Sequence, residues 1–528
     1  MRKTQRETAD KMRHSGERAG VHPFRNHSLP FRVTLLVLAL LMLVSVPVNA
    51  QEGSMGYAGG ISVNDRLLKD TYRYREVVFV TGKPVVLDGT LAIKKSVKAG
   101  KETATYTYKM ANVAQDASLT RVLLFDTTVD TKNNGQLTRA TLLSRTPTEV
   151  LRIGANTYTL LSEQFTRSNL TDPQAALNYH AGEFRSKKTY RVGTGADAPT
   201  VTVESTGSVH AYDQYWSSTQ TQKLKLLVTW ARAGASSWSG TAQVNVSESS
   251  RQNFSYRENE PTQISFDGGY LRTTWNESVL SYTARFPEFG KDGMATDRMV
   301  DVSDRLSMDT EPVNERLMVP DIRHLKGHWS EKPVHILYGL QILPGTGSDF
   351  NPQKYLTRSE FIAQAVQLLK AVPADPNVRT TFTRVSRTTA PEILPFIDLK
   401  EGDPFLADIV DASNRGIVIG RGMSYFRPKE YITRAEVATI AIRALGLGNL
   451  ATWPYAVAPF TDSDAIAPFA RNAAAVCAEI GIMTPDASGR FRPTERITAA
   501  ETAELLYRLL NYMGDELVTD YREHITQW

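Results

Sequence analysis

Apolar positions recur every second residue, or in short β-branched runs, from about residue 57 to residue 300, and at helical spacing beyond about residue 315. Glu76-Val77-Val78-Phe79-Val80 and Pro84-Val85-Val86-Leu87 are such runs, broken by Gly82 and by Asp88-Gly89. Thr103 to Tyr108 alternates as a half-buried strand should, and Leu224 to Trp230 and Thr241 to Val246 add further strands. Asn134-Gly135 and Asp267-Gly268 are hairpin-turn dipeptides. Many short strands with frequent turn signals predict an all-β, sandwich-like or barrel region over residues 51–315. It has room for one large domain or two small ones, with the Gly/Ala/Asp/Pro-rich stretch Val192 to Pro199 as a break.

The helical part repeats. Phe350-Asn351-Pro352, Phe426-Arg427-Pro428 and Phe491-Arg492-Pro493 each precede a Thr by the same step, reaching Thr357, Thr433 and Thr498. Internal repetition of this kind marks units that bury their apolar faces by stacking on one another. Each unit reads in one order. A loop Asp (Asp321, Asp398, Asp462) leads to a first helix near 331–338, 404–415 or 468–480, which ends at Gly339, Gly416 or Gly481. The Phe-x-Pro turn follows, and then a second helix with an apolar stripe such as Val437, Ile440, Ala441 and Leu445. The predicted C-terminal fold is an all-α bundle of three helix–loop–helix repeats at 316–372, 396–448 and 449–514. A Pro/Thr-rich loop is inserted at 373–395, and 515–528 is a tail.

Thr357/Glu360, Thr433/Glu436 and Thr498/Glu501 are capping boxes, in which Thr accepts the third backbone N–H and Glu reaches back to the cap residue. Arg358 and Arg434 fit that account less well, because the helix dipole disfavours a cation in the first turn. One reading completes an anion pocket from Arg and free N–H groups at the helix end. The other is an Arg whose stem merely covers apolar surface.

Charge and leader narrow the function classes. The chain is formally +5, but residues 1–50 hold eight of its 61 basic and three of its 56 acidic residues, and the remainder is balanced. No basic field is left to draw in nucleic acid, so any bound anion is held locally. Val33 to Val46 is an apolar run of fourteen residues after Arg25 and Arg32, with Val48-Asn49-Ala50 behind it. It is short for a span of about 20 residues. It reads as a secretory signal, residues 1–50, cleaved after Ala50, which leaves no stable membrane span. An uncleaved anchor is the other reading, kept open by the long polar leader. Cys477 is the single cysteine, so no intrachain disulfide forms. Gly327 and Pro333 interrupt His324, His328 and His335, and neither a metal nor a cofactor is expected.

Asp321 with His328-Trp329-Ser330, Gly416-Ile417-Val418-Ile419-Gly420, Phe-Arg-Pro and Ile432-Thr433-Arg434-Ala435-Glu436 together resemble the S-layer homology domain, over residues 316–513. The resemblance implies a threefold helical bundle whose grooves bind an anionic, often pyruvylated, secondary cell-wall polysaccharide. It would have Arg358 and Arg434 grip the carboxylate, Trp329 stack on a sugar, and Asp321 and Asp398 accept hydroxyls or orient the Arg. The third repeat departs with Ala499 where Arg is expected, leaving Arg490 or Arg496 as substitutes. The resulting expectation is an exported, non-catalytic protein of the bacterial cell surface, docked non-covalently on the wall. Its β region faces outward and self-assembly into a lattice is one outcome. The alternative is an anchored polysaccharide hydrolase, with Tyr212, Tyr215, Trp216, Trp230, Trp238 and Trp275 lining a sugar cleft. No catalytic motif supports that alternative.

Overall fold

The alternating segments run well beyond their most apolar stretches, because Thr, Ser and Lys continue the outward-facing positions. A computed structural model describes residues 59–63, 71–98, 101–133, 135–195, 197–234, 236–258, 268–291, 293–370, 378–382, 394–420, 424–449 and 459–522. The expected signal segment and most of the expected 373–395 loop lie outside the described residues. The strands in chain order begin with β1 (Gly60–Val63), β2 (Tyr72–Val78), β3 (Val85–Lys98), β4 (Lys101–Asn112) and β5 (Ala117–Thr131). Next come β6 (Leu137–Leu143), β7 (Thr148–Ile153), β8 (Asn156–Pro173), β9 (Leu177–Val192) and β10 (Thr200–Gln214). The N-terminal region closes with β11 (Ser218–Ala231), β12 (Trp238–Arg257), β13 (Gly269–Phe289), β14 (Ala295–Asp309) and β15 (Val313–Arg316).

These strands form one hydrogen-bonded antiparallel sheet, nearly all in sequence order, rather than two separate sheets. The 192–199 stretch is a turn between the paired strands β9 and β10, not a domain break. The sheet curls until its first strand meets its last ones. Ser278 Oγ on β13 donates to Ser62 O at 2.8 Å, and Phe79 packs its ring on Tyr282 and Phe286. Leu87, Leu91, Leu123, Val201, Val246 and Leu280 fill the interior.

One polar cluster interrupts that interior. Arg121 donates to both Glu76 and Glu149 at 2.8–2.9 Å, and Lys188 Nζ donates to Glu149 at 2.7 Å. Burial alone would raise the Glu149 carboxyl, but Arg121 and Lys188 outweigh it and hold the group down to about 2.

The C-terminal third departs from expectation. Its helices are α1 (Glu331–Gly339), α2 (Arg358–Leu368), α3 (Leu406–Asn414), α4 (Arg434–Leu445), α5 (Arg471–Glu479), α6 (Ala499–Asn511) and α7 (Leu517–Asp520). An all-α bundle is not what forms. Each helix is 4 to 13 residues long, and extended segments and loops carry the rest. Helices this short gain little stability alone and depend on tertiary partners. The partner here is the β region: Ala176, Leu177, Tyr212 and Trp216 belong to the same apolar core as the repeats. Inside the expected 373–395 loop, Val378–Phe382 forms β16, which adds to the sheet parallel to β3. The first helix end differs too. The left-handed residue equivalent to Gly416 and Gly481 is Gln341 (φ 60°), while Gly339 lies within α1.

Candidate functional site

The three Thr-capped helices α2, α4 and α6 begin at a closed ring of extended backbone. Leu356 N–H donates to Ile497 O, Ile497 N–H to Ile432 O, and Ile432 N–H to Leu356 O, each at 3.2 Å. The same cycle runs one step further along. The first helical N–H groups of Arg358, Arg434 and Ala499 donate to Glu430 O, Glu495 O and Lys354 O at 2.7–3.0 Å. The second ones, of Ser359, Ala435 and Ala500, reach Pro428 O, Pro493 O and Pro352 O at 3.0–3.2 Å. Each Phe-x-Pro turn therefore supplies the acceptors for a neighbouring repeat's helix. The Glu side chain of each capping box takes the Thr N–H, at 2.9 Å (Glu360), 3.1 Å (Glu436) and 3.0 Å (Glu501). The free N–H groups expected at these ends are already committed, so a ligand's charge must be met by side chains.

Arg358 and Arg434 are buried at the junctions between repeats. Arg358 pairs with Glu436 at 3.2 Å and lies over the Phe426 ring. Arg434 donates to Phe491 O at 2.7 Å, pairs with Glu501 at 3.5 Å and lies over Phe491. Burial lowers the Arg434 guanidinium from its usual value, with Glu501 opposing. At the third junction Ala499 carries no charge, and Lys354 pairs with Glu360 at 2.6 Å instead.

The loop aspartates divide. Asp398 accepts the Phe426 and Arg427 N–H groups at 2.8 and 2.7 Å, and Asp462 accepts those of Phe491 and Arg492 at 2.7 and 2.8 Å, so both fix Phe-x-Pro turns. Asp321 is exposed and paired with Arg323 at 3.1 Å. Trp329 is 57% exposed at the start of α1, the place held by Phe405 before α3 and Phe469 before α5. Arg490 is tied to Asp486 at 3.3 Å, and Arg496 lies 4.6 Å over the Tyr431 ring.

Two grooves flank these helices. One of about 530 Å³ runs along α4, lined by Arg358, Glu436, Thr439, Arg443, Phe469 and Thr494 among others. One of about 370 Å³ runs along α2, with Asp349, Lys354, Glu360, Gln367, Phe405 and Asp408 in its wall. Both fall in the size range of small-ligand sites, about 300–1,000 Å³. Sequence reasoning missed Arg443 and its counterpart Arg508. Each sits nine residues after the first residue of its helix, where α2 has Gln367. Superposing the three helices by their Thr caps would have found them. Arg508 is paired with Glu504 at 2.6 Å and donates to Thr484 Oγ1 at 3.2 Å.

Three copies of one unit, closed in a ring and grooved along two of the three capped helices, define a repeat module. Residues 321–362, 395–438 and 459–503 each match the S-layer homology domain, so the chain carries three such repeats. These domains anchor their carriers to cell-wall polysaccharide, which makes this an exported, wall-associated protein of the bacterial surface. The chain is similar to an amylopullulanase of Thermoanaerobacterium thermosulfurigenes, 31% identical over 36% of this chain and 10% of the relative. It is also similar to exoglucanase XynX of Acetivibrio thermocellus, 30% identical over 35% and 16%. An endoglucanase of Bacillus sp. (strain KSM-635) is 27% identical over 35% and 18%. The chain spans less than a fifth of the length of each of these relatives. Among the described residues no helix is long and apolar enough to cross a membrane.

Proposed function

We propose that this protein is a non-catalytic surface protein whose repeats hold an anionic, pyruvylated wall polysaccharide, chiefly in the groove along α4. The observation that carries this is the charge of the two groove walls. The α4 groove sets Arg358 and Arg443 against Glu436, whereas the α2 groove sets Asp349, Glu360 and Asp408 against Lys354. An anionic sugar is attracted to the first and repelled by the second. Phe469, 61% exposed at the rim, offers an aromatic face for a sugar ring, and Thr439 and Thr494 offer hydroxyls. Arg358 is fixed by Glu436 and Phe426, so it supplies charge from a set position while Arg443 is the cation of the open wall.

The relatives' names favour a second reading, a polysaccharide hydrolase in the β region. The placement of the six candidate aromatics speaks against it. Tyr212, Tyr215 and Trp216 pack into the junction with the repeats, Trp230 and Trp238 pack on the interior of the sheet, and Trp275 stands outside both cores. The cavity beside Glu76, Arg121 and Lys188 is about 70 Å³, and the open groove of about 830 Å³ across β10–β14, with Glu204, Arg285 and Asp301 in its wall, has none of these aromatics in its lining.

The test is co-sedimentation of the exported chain with Gram-positive wall sacculi, before and after mild acid removal of the secondary polymer, with Arg443→Gln alongside. Binding lost on acid treatment and weakened by Arg443→Gln supports the reading. Binding that survives acid treatment rules out the secondary polymer, and binding indifferent to Arg443→Gln rules out the α4 groove.

A further inference from the structure

Strand β14 lies at the end of the strand order, and among the described residues only β13 pairs with it. Its last residues turn toward the start of the sheet, where Arg75 donates to Ser307 O at 3.1 Å. The eleven residues Ala295 to Arg305 are exposed on both faces. Met299, Val300 and Val302 are among them, each more than a third exposed. A long open edge with apolar side chains is a template for strand pairing.

We propose that β14 pairs antiparallel with β14 of a second copy of this chain, in a twofold register centred on Asp301. The charge pattern of the strand selects that partner and that register. With Asp301 opposite Asp301, Asp297 faces Arg305 and Arg298 faces Asp304, and each pair occurs twice because the interface is self-complementary. Val300 then faces Val302 twice, on the side of the sheet that carries the buried Phe286, Ala284 and Tyr282 of β13. Opposite charges and β-branched residues directly across a ladder both favour pairing.

The central like-charged pair is offset from within each chain. Arg285 of β13 lies directly opposite Asp301, with Nε 3.9 Å from its carboxylate, so the centre is a row of Arg, Asp, Asp and Arg. Moving the register by one residue sets Asp297 against Asp304, and moving it one the other way sets Arg298 against Arg305. Both neighbouring registers therefore lose the complementarity. Charges on an edge usually keep strangers away; these are ordered so that the strand accepts its own copy.

Sedimentation equilibrium of the exported chain tests the inference, with Arg298→Asp, Asp304→Arg and the double variant Arg298→Asp/Asp304→Arg. Each single swap places like charges opposite each other twice and should weaken the dimer about tenfold or more. The double swap restores opposite charges at both copies of this pair and should recover the wild-type dissociation constant. A wild-type chain monomeric at about 100 μM overturns the proposal. So does a dimer unaffected by the single swaps, and so does one lost in both singles and not recovered in the double. Thermal melts confirm that the variants fold. Sacculus binding, measured separately, reports on the repeats and leaves the two proposals to stand or fall apart.

Discussion

The indole Nε1–H of Trp216 donates to the carbonyl oxygen of Leu368 at 2.9 Å, joining the β10–β11 turn to the last residue of α2. The other two capped helices are met in the same way. Ala176 N–H donates to Ala444 O at 2.8 Å near the end of α4, and Gln214 Nε2 and Ser217 Oγ donate to Met513 O at 2.6 and 2.5 Å just beyond α6. The last carbonyls of a helix lack partners within it; β turns supply donors near the ends of α2 and α4, and in the third repeat to a carbonyl of the π-helical segment Tyr512–Glu516 that continues α6. The ring of Thr caps and the β region consequently occupy opposite ends of these helices.

Replacing Trp216 by Phe keeps most of the buried ring and removes only the donor. The loss should be about 1–3 kcal/mol, the cost of leaving a buried carbonyl unmet. Urea unfolding of the exported chain measures it, and a variant as stable as wild type would remove the cap from the account.

Arg358→Ala leaves Glu436 buried without its 3.2 Å partner and should cost about 3–5 kcal/mol. Arg427→Ala, which breaks the half-exposed 2.9 Å pair with Glu430, should cost no more than about 1 kcal/mol. Comparing the two melting temperatures separates a buried latch between repeats from an ordinary surface pair. Equal shifts would contradict the burial argument.

Glu149 is held below its ordinary value, down to about 2. A depressed carboxylate contributes stability that is present above its unfolded value, about 4.3, and is lost as pH falls through the folded one. Unfolding free energy followed from pH 7 to pH 2 should therefore fall between about pH 4.5 and pH 2. Glu149→Gln should be less stable at pH 7 and show a shallower slope across that window.

A Cβ on Gly339 would lie 2.9 Å from Leu317 Cβ and 3.0 Å from Met318 O. Gly339→Ala should accordingly destabilise by about 1–3 kcal/mol through overpacking. Two residues away, Gln341→Gly should stabilise by up to about 1 kcal/mol, since Gln341 adopts φ 60° where glycine is unstrained. Thermal melts with opposite signs at these two neighbouring positions are the expected result.

The sequence by itself determined the local events. Thr-x-x-Glu placed the starts of α2, α4 and α6, because a capping box involves only residues three apart. Alternation marked the β region, and the repeated Phe-x-Pro and Thr marked the three units. It did not determine the length of the strands, since a Thr- or Lys-rich continuation such as Lys101–Asn112 becomes strand only when neighbours are there to pair with it. The roles of Arg358 and Asp398 were equally out of reach. Arg358 meets Glu436, 78 residues away, and Asp398 meets the Phe426 and Arg427 N–H groups, 28 and 29 residues away. The largest departure, from the expected all-α bundle, has the same origin. Whether short helices end in solvent or against a partner depends on Trp216, Gln214 and Ala176, residues that no local pattern connects to them. Only the curled sheet, by bringing the β8–β9 and β10–β11 turns to one end, decided where the helix carbonyls find their donors.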